Sequence, residues 1–184
     1  MLQIRQPVYN LRDAPGAALV GGKAANLGRL IRGGFNVPSG FVISTASRPS
    51  RATTGAILEA YAKLGRGPVA VRSSATNEDG SSASFAGLYE TILNVEGRND
   101  LHAAIVKVLR SAQSDAAEAY RQALDLPDVP RMAVIVQRMV DAGYSGVAFT
   151  CDPVSGDRDV VVIEAVSGLG DQLFRYITVR TLAE

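Results

Sequence analysis

The sequence contains a single cysteine and a single histidine among its 184 residues, and it contains no tryptophan. One cysteine excludes a disulfide within the chain, and one cysteine with one histidine cannot supply the ligand set of the usual zinc site. Cys151 is therefore interpreted as a small packing residue, and His102 as a surface residue of a helix. No hydrophobic run approaches the roughly 20 residues that span a bilayer, and the first residues lack the apolar core of a signal peptide. We expect a cytoplasmic protein that does not enter a membrane.

An excess of charge of one sign is also missing. The chain has 19 lysines and arginines against 18 aspartates and glutamates, which gives a formal net charge of +1. Nucleic acids and membrane surfaces attract proteins that carry a basic field, so this balance argues against both as general partners. Hydrophobic residues make up 47% of the chain, which suffices for one sizeable core or for two small lobes.

The most informative stretch is residues 69–87, in which an apolar strand leads through Arg72 into a loop of small residues. Such a loop lets backbone N–H groups approach a phosphate chain closely, and the adjacent arginine offers forked donors to the same anion. Residues 88–95 then have the β-branched and aromatic content of a second strand. The pattern predicts a polyphosphate site, and a plain surface loop is the alternative.

Lys23 follows two glycines at the predicted start of a helix over residues 23–31. The first N–H groups of a helix have no partner within it, and the helix dipole favours an anion at this end. Lys23 is therefore a second candidate cation for the same phosphates. The alternative is a solvated lysine at a helix start, which is the commoner situation.

Short strands and amphipathic helices are predicted along the first two thirds of the chain. A strand over residues 41–43 is followed by a connector over residues 44–54, which is rich in Ser, Thr, Arg and Pro and has no apolar period. Thr54 is predicted to cap the next helix. Two further helices are predicted, one after Asp100 and one over residues 115–126.

Three short apolar runs follow, over residues 132–136, 146–150 and 160–163. Turn-forming sequences separate them, so the pattern predicts an antiparallel meander. Helices in the middle of the chain with strands before and after them indicate the α+β class.

Seven sequence blocks occur in one order along the chain and together resemble a known family. The blocks are Gly-Gly-Lys-Ala-Ala-Asn-Leu-Gly (21–28), Val-Pro-Ser-Gly-Phe-Val (37–42), Val-Arg-Ser-Ser-Ala-Thr (71–76), Ser-Phe-Ala-Gly (84–87), Val-Gln-Arg-Met-Val (136–140), Ser-Gly-Val-Ala-Phe-Thr-Cys-Asp-Pro (145–153) and Ile-Glu-Ala-Val-Ser-Gly-Leu-Gly (163–170). They are similar to the N-terminal nucleotide-binding domain of the phosphoenolpyruvate synthase and pyruvate phosphate dikinase family, which also includes rifamycin phosphotransferases. Seven ordered blocks are a specific signal, whereas one alone would be weak.

The resemblance implies an ATP-grasp-like, two-lobed nucleotide-binding domain, with lobes expected at residues 1–130 and 131–184. It implies the ATP-binding part of a phosphotransferase that passes a phosphoryl group from ATP to a carrier histidine on another domain and then to pyruvate or a similar acceptor. The implied cofactors are ATP and Mg²⁺, and the implied partners are carrier and acceptor-binding domains supplied elsewhere. The ATP-binding domain of a rifamycin phosphotransferase and a non-catalytic nucleotide-binding module are the open alternatives.

Residues 136–140 form the predicted adenine edge. The strand alternation fails there, which would leave backbone groups free for the adenine ring and place Met139 against it. The resemblance points to the same segment and includes Gln137 and Val140. The alternatives are that Met139 and Val140 are ordinary core residues and that Gln137 is a solvated residue at a strand end.

Two carboxylates complete the predicted site. Glu164 and Asp171 flank a glycine turn, where a carboxylate can accept a ribose hydroxyl or hold a magnesium ion by one oxygen. The family pattern has a glutamate at the position of Asp171, so the shorter side chain puts the ribose contact in doubt. The full predicted nucleotide-binding set is Lys23, Arg72, Ser84, Phe85, Ala86, Gly87, Gln137, Met139, Val140, Glu164 and Asp171.

Two departures from the family pattern bear on function. Family members usually carry a longer helical segment after the strand at residues 41–43, whereas this chain crosses that gap in about a dozen residues. The resemblance also fails after Leu173, before the acidic segment that binds magnesium in the family, which implies a domain truncated on its C-terminal side. His102 lies in no matching motif. We therefore assign no catalytic residue and expect the chain alone to be inactive in phosphotransfer.

Overall fold

The computed structural model describes residues 6–65, 67–76, 89–124 and 130–170. Within these ranges it contains seven strands, four α-helices and a short 3-10 helix at Leu11–Asp13. The strands are β1 Val8–Asn10, β2 Gly40–Ile43, β3 Val69–Ala75, β4 Thr91–Val95, β5 Met132–Arg138, β6 Tyr144–Phe149 and β7 Val162–Ser167. The helices are α1 Ala17–Arg32, α2 Arg51–Lys63, α3 Gly97–Ser111 and α4 Asp115–Ala123. None of these helices is both long enough and apolar enough to cross a membrane.

Five strands form one antiparallel sheet in the order β1-β2-β5-β3-β4. The central strand β5 pairs with β2 on one side, where Val42 lies opposite Ile135, and with β3 on the other, where Arg72 lies opposite the same residue. Helices packed on an antiparallel sheet agree with the predicted α+β class.

The two faces of this sheet bury separate apolar clusters, because successive side chains of a strand point to opposite faces. On one face, Val71 and Val136 pack with residues of α3, and α2 contributes partly buried side chains. On the other face, Val42 and Ile135 pack with residues of α1 and of the 3-10 helix. The sheet is therefore covered on both sides, by α1 on one face and by α2 and α3 on the other.

The predicted meander is wrong. Strand β5 pairs with β2 and β3, whereas β6 and β7 pair with each other as a separate two-stranded sheet. The burial pattern gives the reason, because residues 133–137 are all buried, as in a strand covered on both faces. In β6 and β7 half-buried and exposed residues alternate instead.

The chain divides into two compact units, residues 1–139 and residues 140–184. The boundary therefore falls after Met139, whereas the sequence predicted lobes at residues 1–130 and 131–184. The reason is the position of β5, the central strand of the sheet in the first unit. The second unit contains the β6–β7 hairpin, in which Tyr144 pairs with Ser167 and Phe149 with Val162.

All four predicted helices are present in the described ranges, but some of their first residues differ from the prediction. Helix α1 begins at Ala17 rather than at residue 23, and its backbone departs from helical geometry at Gly21. Helix α2 begins at Arg51, inside the segment predicted to be a connector. Ser50, rather than Thr54, caps it, because the Ser50 hydroxyl accepts a hydrogen bond from the backbone N–H of Thr53 at 3.0 Å.

Candidate functional site

Gly21, two residues before the predicted helix start at Lys23, touches the predicted phosphate-binding strand directly. Gly21 has φ +74° and ψ 166°, which divides α1 into two helical segments. A Cβ atom built on Gly21 would overlap the backbone carbonyl and the hydroxyl of Ser74. Both the backbone angle and the closeness of β3 therefore require glycine at this position.

Ser74 holds the two segments of α1 together at this bend. Its hydroxyl donates to the backbone carbonyl of Val20 at 2.8 Å and accepts from the backbone N–H of Ala24 at 3.1 Å. Ser74 is fully buried. The N–H of Ala24 belongs to the first turn after the bend, where helical N–H groups lack partners within the helix. Ser74 thus caps the second segment from another element.

This contact brings the two predicted cations to neighbouring segments. Lys23 is half-buried and lies between Gly21 and Ala24, the residues that meet Ser74. Arg72 is also half-buried and precedes Ser74 by two positions on β3. Residues two apart on a strand share a face, so Arg72 lies on the face of the sheet that α1 covers. The two motifs that supply these cations are therefore adjacent.

The predicted adenine edge is more firmly tied into the first unit than the sequence indicated. The side-chain amide of Gln137 is buried and donates to the backbone carbonyl of Pro38 at 2.9 Å. The backbone N–H groups of Arg138 and Met139 donate to the carbonyls of Ser39 and Pro68 at 2.9 and 3.0 Å. These N–H groups are not free, which corrects the sequence prediction, and Gln137 is not the solvated residue that the alternative supposed.

The remaining predicted contacts fall in other parts of the chain. Met139 is half-buried at the end of the first unit. Val140 is 54% exposed, and both Val140 and Glu164 belong to the second unit. Glu164 is half-buried on β7, opposite Val147. The loop residues Ser84, Phe85, Ala86 and Gly87, and Asp171, lie outside the described residues.

Among the described residues, pKa shifts are resolved for Asp152 in the second unit and for Glu59 in the first. Two backbone N–H groups, of Val154 and Ser155, lower the pKa of the Asp152 carboxyl in the turn after β6. Lys63 lowers the pKa of Glu59 on α2 through a hydrogen bond and through its charge. In the described ranges no three His, Cys, Asp or Glu side chains lie together in a way that could hold a metal ion.

Sequence reasoning missed the role of Ser74. It treated the serines of the block at residues 71–76 as small loop-forming residues, whereas Ser74 is a fully buried strand residue that fixes α1. A signal was present, because a glycine pair and a buried serine each occur within a family block. The contact between the glycine pair and Ser74, however, depends on the order of the strands, which the sequence did not reveal.

Comparisons with known proteins identify the family of this chain. Residues 49–175 match the family described as "Pyruvate phosphate dikinase, AMP/ATP-binding domain". The chain is 35% identical over 206 residues to a phosphoenolpyruvate synthase of Aeropyrum pernix, covering 84% of this chain and 25% of the relative. It is 37% identical over 208 residues to a rifampicin phosphotransferase of a Streptomyces species, covering 88% of this chain and 24% of the relative. A phosphoenolpyruvate synthase of Deinococcus radiodurans is 44% identical over 132 residues, which cover 69% of this chain and 17% of the relative.

The matched region places the chain in the class of AMP/ATP-binding domains. The chain belongs to the pyruvate phosphate dikinase AMP/ATP-binding domain family. It spans about a quarter of the length of the first two relatives.

Proposed function

We propose that Lys23 and Arg72 bind the phosphate groups of ATP in this chain, as part of a longer phosphotransferase system. The observation that carries the proposal is that Ser74 donates a hydrogen bond to one segment of α1, at Val20, and accepts one from the other, at Ala24. They fix the segment that bears Lys23 against the strand that bears Arg72. Two cations beside a helix start suit a polyphosphate, because the dipole and the charges favour the same anion.

The adenine end of the nucleotide is assigned to the end of β5. Met139 is half-buried there, and a thioether side chain packs well against an aromatic ring. Gln137 acts in this proposal by holding the Pro38 segment, since its amide already donates to the Pro38 carbonyl. Val140, Glu164, Asp171 and the loop at residues 84–87 remain the further predicted contacts. An ATP-grasp-like arrangement of the whole chain likewise remains a prediction.

Magnesium, when it accompanies ATP, neutralises charge on the phosphates during transfer. The described residues do not form a metal site of their own, because no cluster of three suitable ligands occurs among them. We assign to this chain the positioning of the phosphates. The phosphoryl group would pass to a carrier histidine on another domain.

The acceptor is proposed to be pyruvate or a similar compound, in line with the relatives named phosphoenolpyruvate synthase. A rifamycin-type acceptor is the second candidate, because a relative named rifampicin phosphotransferase matches with similar identity. Both kinds of relative match most of this chain, so the acceptor is chosen outside the matched region. We expect no net phosphotransfer from this chain alone to either acceptor.

Binding of ATP and adenosine by calorimetry tests the proposal. Arg72→Ala and Lys23→Ala should each weaken ATP about tenfold or more, because a hydrogen bond to a charged group contributes about 1.5–3 kcal/mol. Adenosine affinity should change little, since it has no phosphate. Arg29→Ala and Lys63→Ala are the matched controls, because Arg29 is exposed on α1 and Lys63 forms only an exposed pair with Glu59.

Equal loss of ATP and adenosine binding in the two site variants would contradict the proposal, as would unchanged ATP binding in both. Thermal melts of each variant separate lost binding from lost folding. A non-catalytic module is distinguished by adding the remaining domains of a relative in trans, since only a catalytic part would then support ATP-dependent product formation.

A further inference from the structure

A groove runs between α2 and α3, on the sheet face opposite α1, and contains a cavity of about 420 Å³. The start of α3 lies beside the end of α2, because the backbone N–H of Gly97 donates to the hydroxyl of Tyr61 at 3.1 Å. Residues from the first half of α2 and from the whole of α3 line the groove. The two helices therefore run in opposite directions along its walls.

Each helix presents an apolar stripe to the groove. On α3, Leu101, Ile105 and Leu109 recur at four-residue intervals and line one wall, which places them on one face of the helix. On α2, Ile57 and Leu58 line the other wall. Leu101 and Ile105 are buried, whereas Leu109 is 41% exposed. The apolar stripe of α3 is therefore covered over only part of its length.

Helix α2 is incompletely packed. None of its residues is buried, and Ile57, Ala60 and Tyr61 pack only partly against the core of this face. Helices α1 and α3, in contrast, each bury five or more residues. Because a helix in a protein is stabilised mainly by the packing of its apolar face, α2 retains apolar surface for a further element.

The two arginines that line the groove lie at its opposite ends. Arg48 precedes the start of α2, whereas Arg98 lies at the start of α3, beside the end of α2. A small ligand with a single charged group thus finds no one polar end. From Arg98 to Leu109 the groove follows α3 for eleven residues, or about 16 Å, which equals about three turns of a helix.

Several relatives carry a segment that this chain lacks. The alignment with the Aeropyrum pernix relative runs over 206 positions, whereas 84% of this chain is about 155 residues, so about 50 positions have no counterpart. The Streptomyces relative gives a similar difference, from 208 positions and about 162 residues. The alignment with the Deinococcus radiodurans relative, 132 positions over about 127 residues, has almost no such gap. The missing positions therefore lie outside the region that the last alignment covers.

The connector before α2 agrees with this gap. The family match begins at Pro49, and the resemblance implies a longer segment after the strand at residues 41–43. The connector contributes Ser47, Arg48 and Pro49 to the groove. Consecutive elements of a chain are usually neighbours in space. A segment inserted at this connector would begin and end beside the groove, so it could cover the exposed parts of α2 and α3.

We propose that the groove between α2 and α3 is a docking site for an amphipathic helix supplied by a separate polypeptide, which takes the place of the segment that the longer relatives carry. An apolar groove between helices receives the apolar face of another helix through side chains spaced at three and four residues. Docking removes Leu109 from water and gives α2 a further packing partner. The site lies on the sheet face opposite Arg72 and is independent of nucleotide binding.

A synthetic peptide tests this proposal. Its sequence is the segment of the Aeropyrum pernix relative that has no counterpart in this chain, and a fluorescent label reports its binding to the full chain by anisotropy. We expect saturable binding with a gain of helical circular dichroism, because the peptide becomes ordered in the groove. A peptide of the same composition in scrambled order should bind at least tenfold more weakly.

Leu109→Asp should weaken binding of the peptide tenfold or more, because it places a carboxylate in an apolar contact. Leu30→Asp on α1 is the matched control, since both leucines are 41% exposed, and it should leave the peptide affinity unchanged. Thermal melts of the two variants show that the chain remains folded. Equal affinity of the two variants for the peptide would overturn the proposal.

Insertion of the same segment between Arg48 and Pro49 provides a second test. The inserted chain should no longer bind the free peptide, because its groove is filled from within, and its Tm should rise. Unchanged binding of the free peptide, equal binding of the scrambled peptide, or an absence of saturable binding to the original chain would overturn the proposal. Self-association of the original chain that Leu109→Asp abolishes would assign the groove to a second copy and would also overturn it.

Discussion

Both faces of the five-stranded sheet bury an apolar cluster, and the α1 face adds buried hydrogen bonds between the helix and a strand. On the α1 face, the helix is fixed by Ser74, which bonds both of its segments, and Arg72 lies at the middle of β3. On the opposite face, α3 is held by apolar burial, with Leu101 and Val108 almost completely buried. Apolar burial gives stability without fixing one orientation, whereas hydrogen bonds fix atoms. Arg72 and the helix that bears Lys23, the two candidate phosphate-binding cations, belong to the face where atoms are fixed.

The largest effect is expected on the apolar face. Leu101→Ala should lower the free energy of unfolding by about 2–5 kcal/mol, because a fully buried leucine loses its burial and leaves a cavity. Leu109→Ala on the same helix, at a side chain that is 41% exposed, should cost less than about 1 kcal/mol. Urea unfolding of both variants measures the difference. Equal costs would show that α3 is not held by burial of this face.

A smaller but more local effect is expected at the bend of α1. Gly21→Ala should destabilise the chain by about 3 kcal/mol and weaken ATP binding, because a side chain there combines a left-handed backbone with an overlap against Ser74. Gly34→Ala is the control, since Gly34 has φ +84° and open space around it. It should cost about 1 kcal/mol through backbone strain alone. Thermal melts and ATP calorimetry report both outcomes, and equal costs would refute the role of the Ser74 contact.

Adjacent serines on opposite faces give the most direct comparison. Ser74→Ala should cost about 1–3 kcal/mol, because it leaves the Ala24 N–H and the Val20 carbonyl without this partner in a buried site. Ser73→Ala should cost nothing measurable or stabilise slightly, because the buried Ser73 hydroxyl has no hydrogen-bond partner among the described residues. Chemical denaturation distinguishes them. A more costly Ser73→Ala would contradict the assignment of polar contacts to the α1 face.

The smallest effect is expected between β6 and β7 of the second unit. Neither face of the five-stranded sheet includes this segment, so it serves as a comparison for both. In the folded protein the pKa of Asp152 lies below its ordinary value of 3.8. The ionised carboxylate therefore stabilises the folded state at pH values above 3.8, and this stabilisation is lost as the pH falls through the lowered pKa. Asp152→Ala should speed amide exchange at Val154 and Ser155 near neutral pH, with less difference from wild type in acid. Asp152→Asn keeps an acceptor oxygen, so its amide exchange rates should lie between those of the wild type and those of Asp152→Ala. Hydrogen exchange followed by nuclear magnetic resonance measures this, and a pH-independent difference would exclude the charge effect.

Much of the local structure followed from the sequence. The apolar periods of α1, α3 and α4 are carried by neighbouring residues, so their existence could be predicted, while the start of α1 and the cap of α2 could not be placed correctly. Strand β5 was found as an apolar run but assigned to the wrong sheet. An apolar run reports that a strand is buried and does not report which strands cover its edges.

The sequence by itself determined the family, because seven ordered blocks require no knowledge of the fold, and it identified Lys23 and Arg72 as candidate cations. Only the tertiary structure decided that their segments meet through Ser74 and that the Gln137 side chain donates to the Pro38 carbonyl. Ser74 and Ala24 lie 50 positions apart in the chain, and Gln137 and Pro38 lie 99 apart. Local patterns are set by neighbouring residues, whereas such distant contacts depend on strand order and on which face of the sheet each side chain occupies.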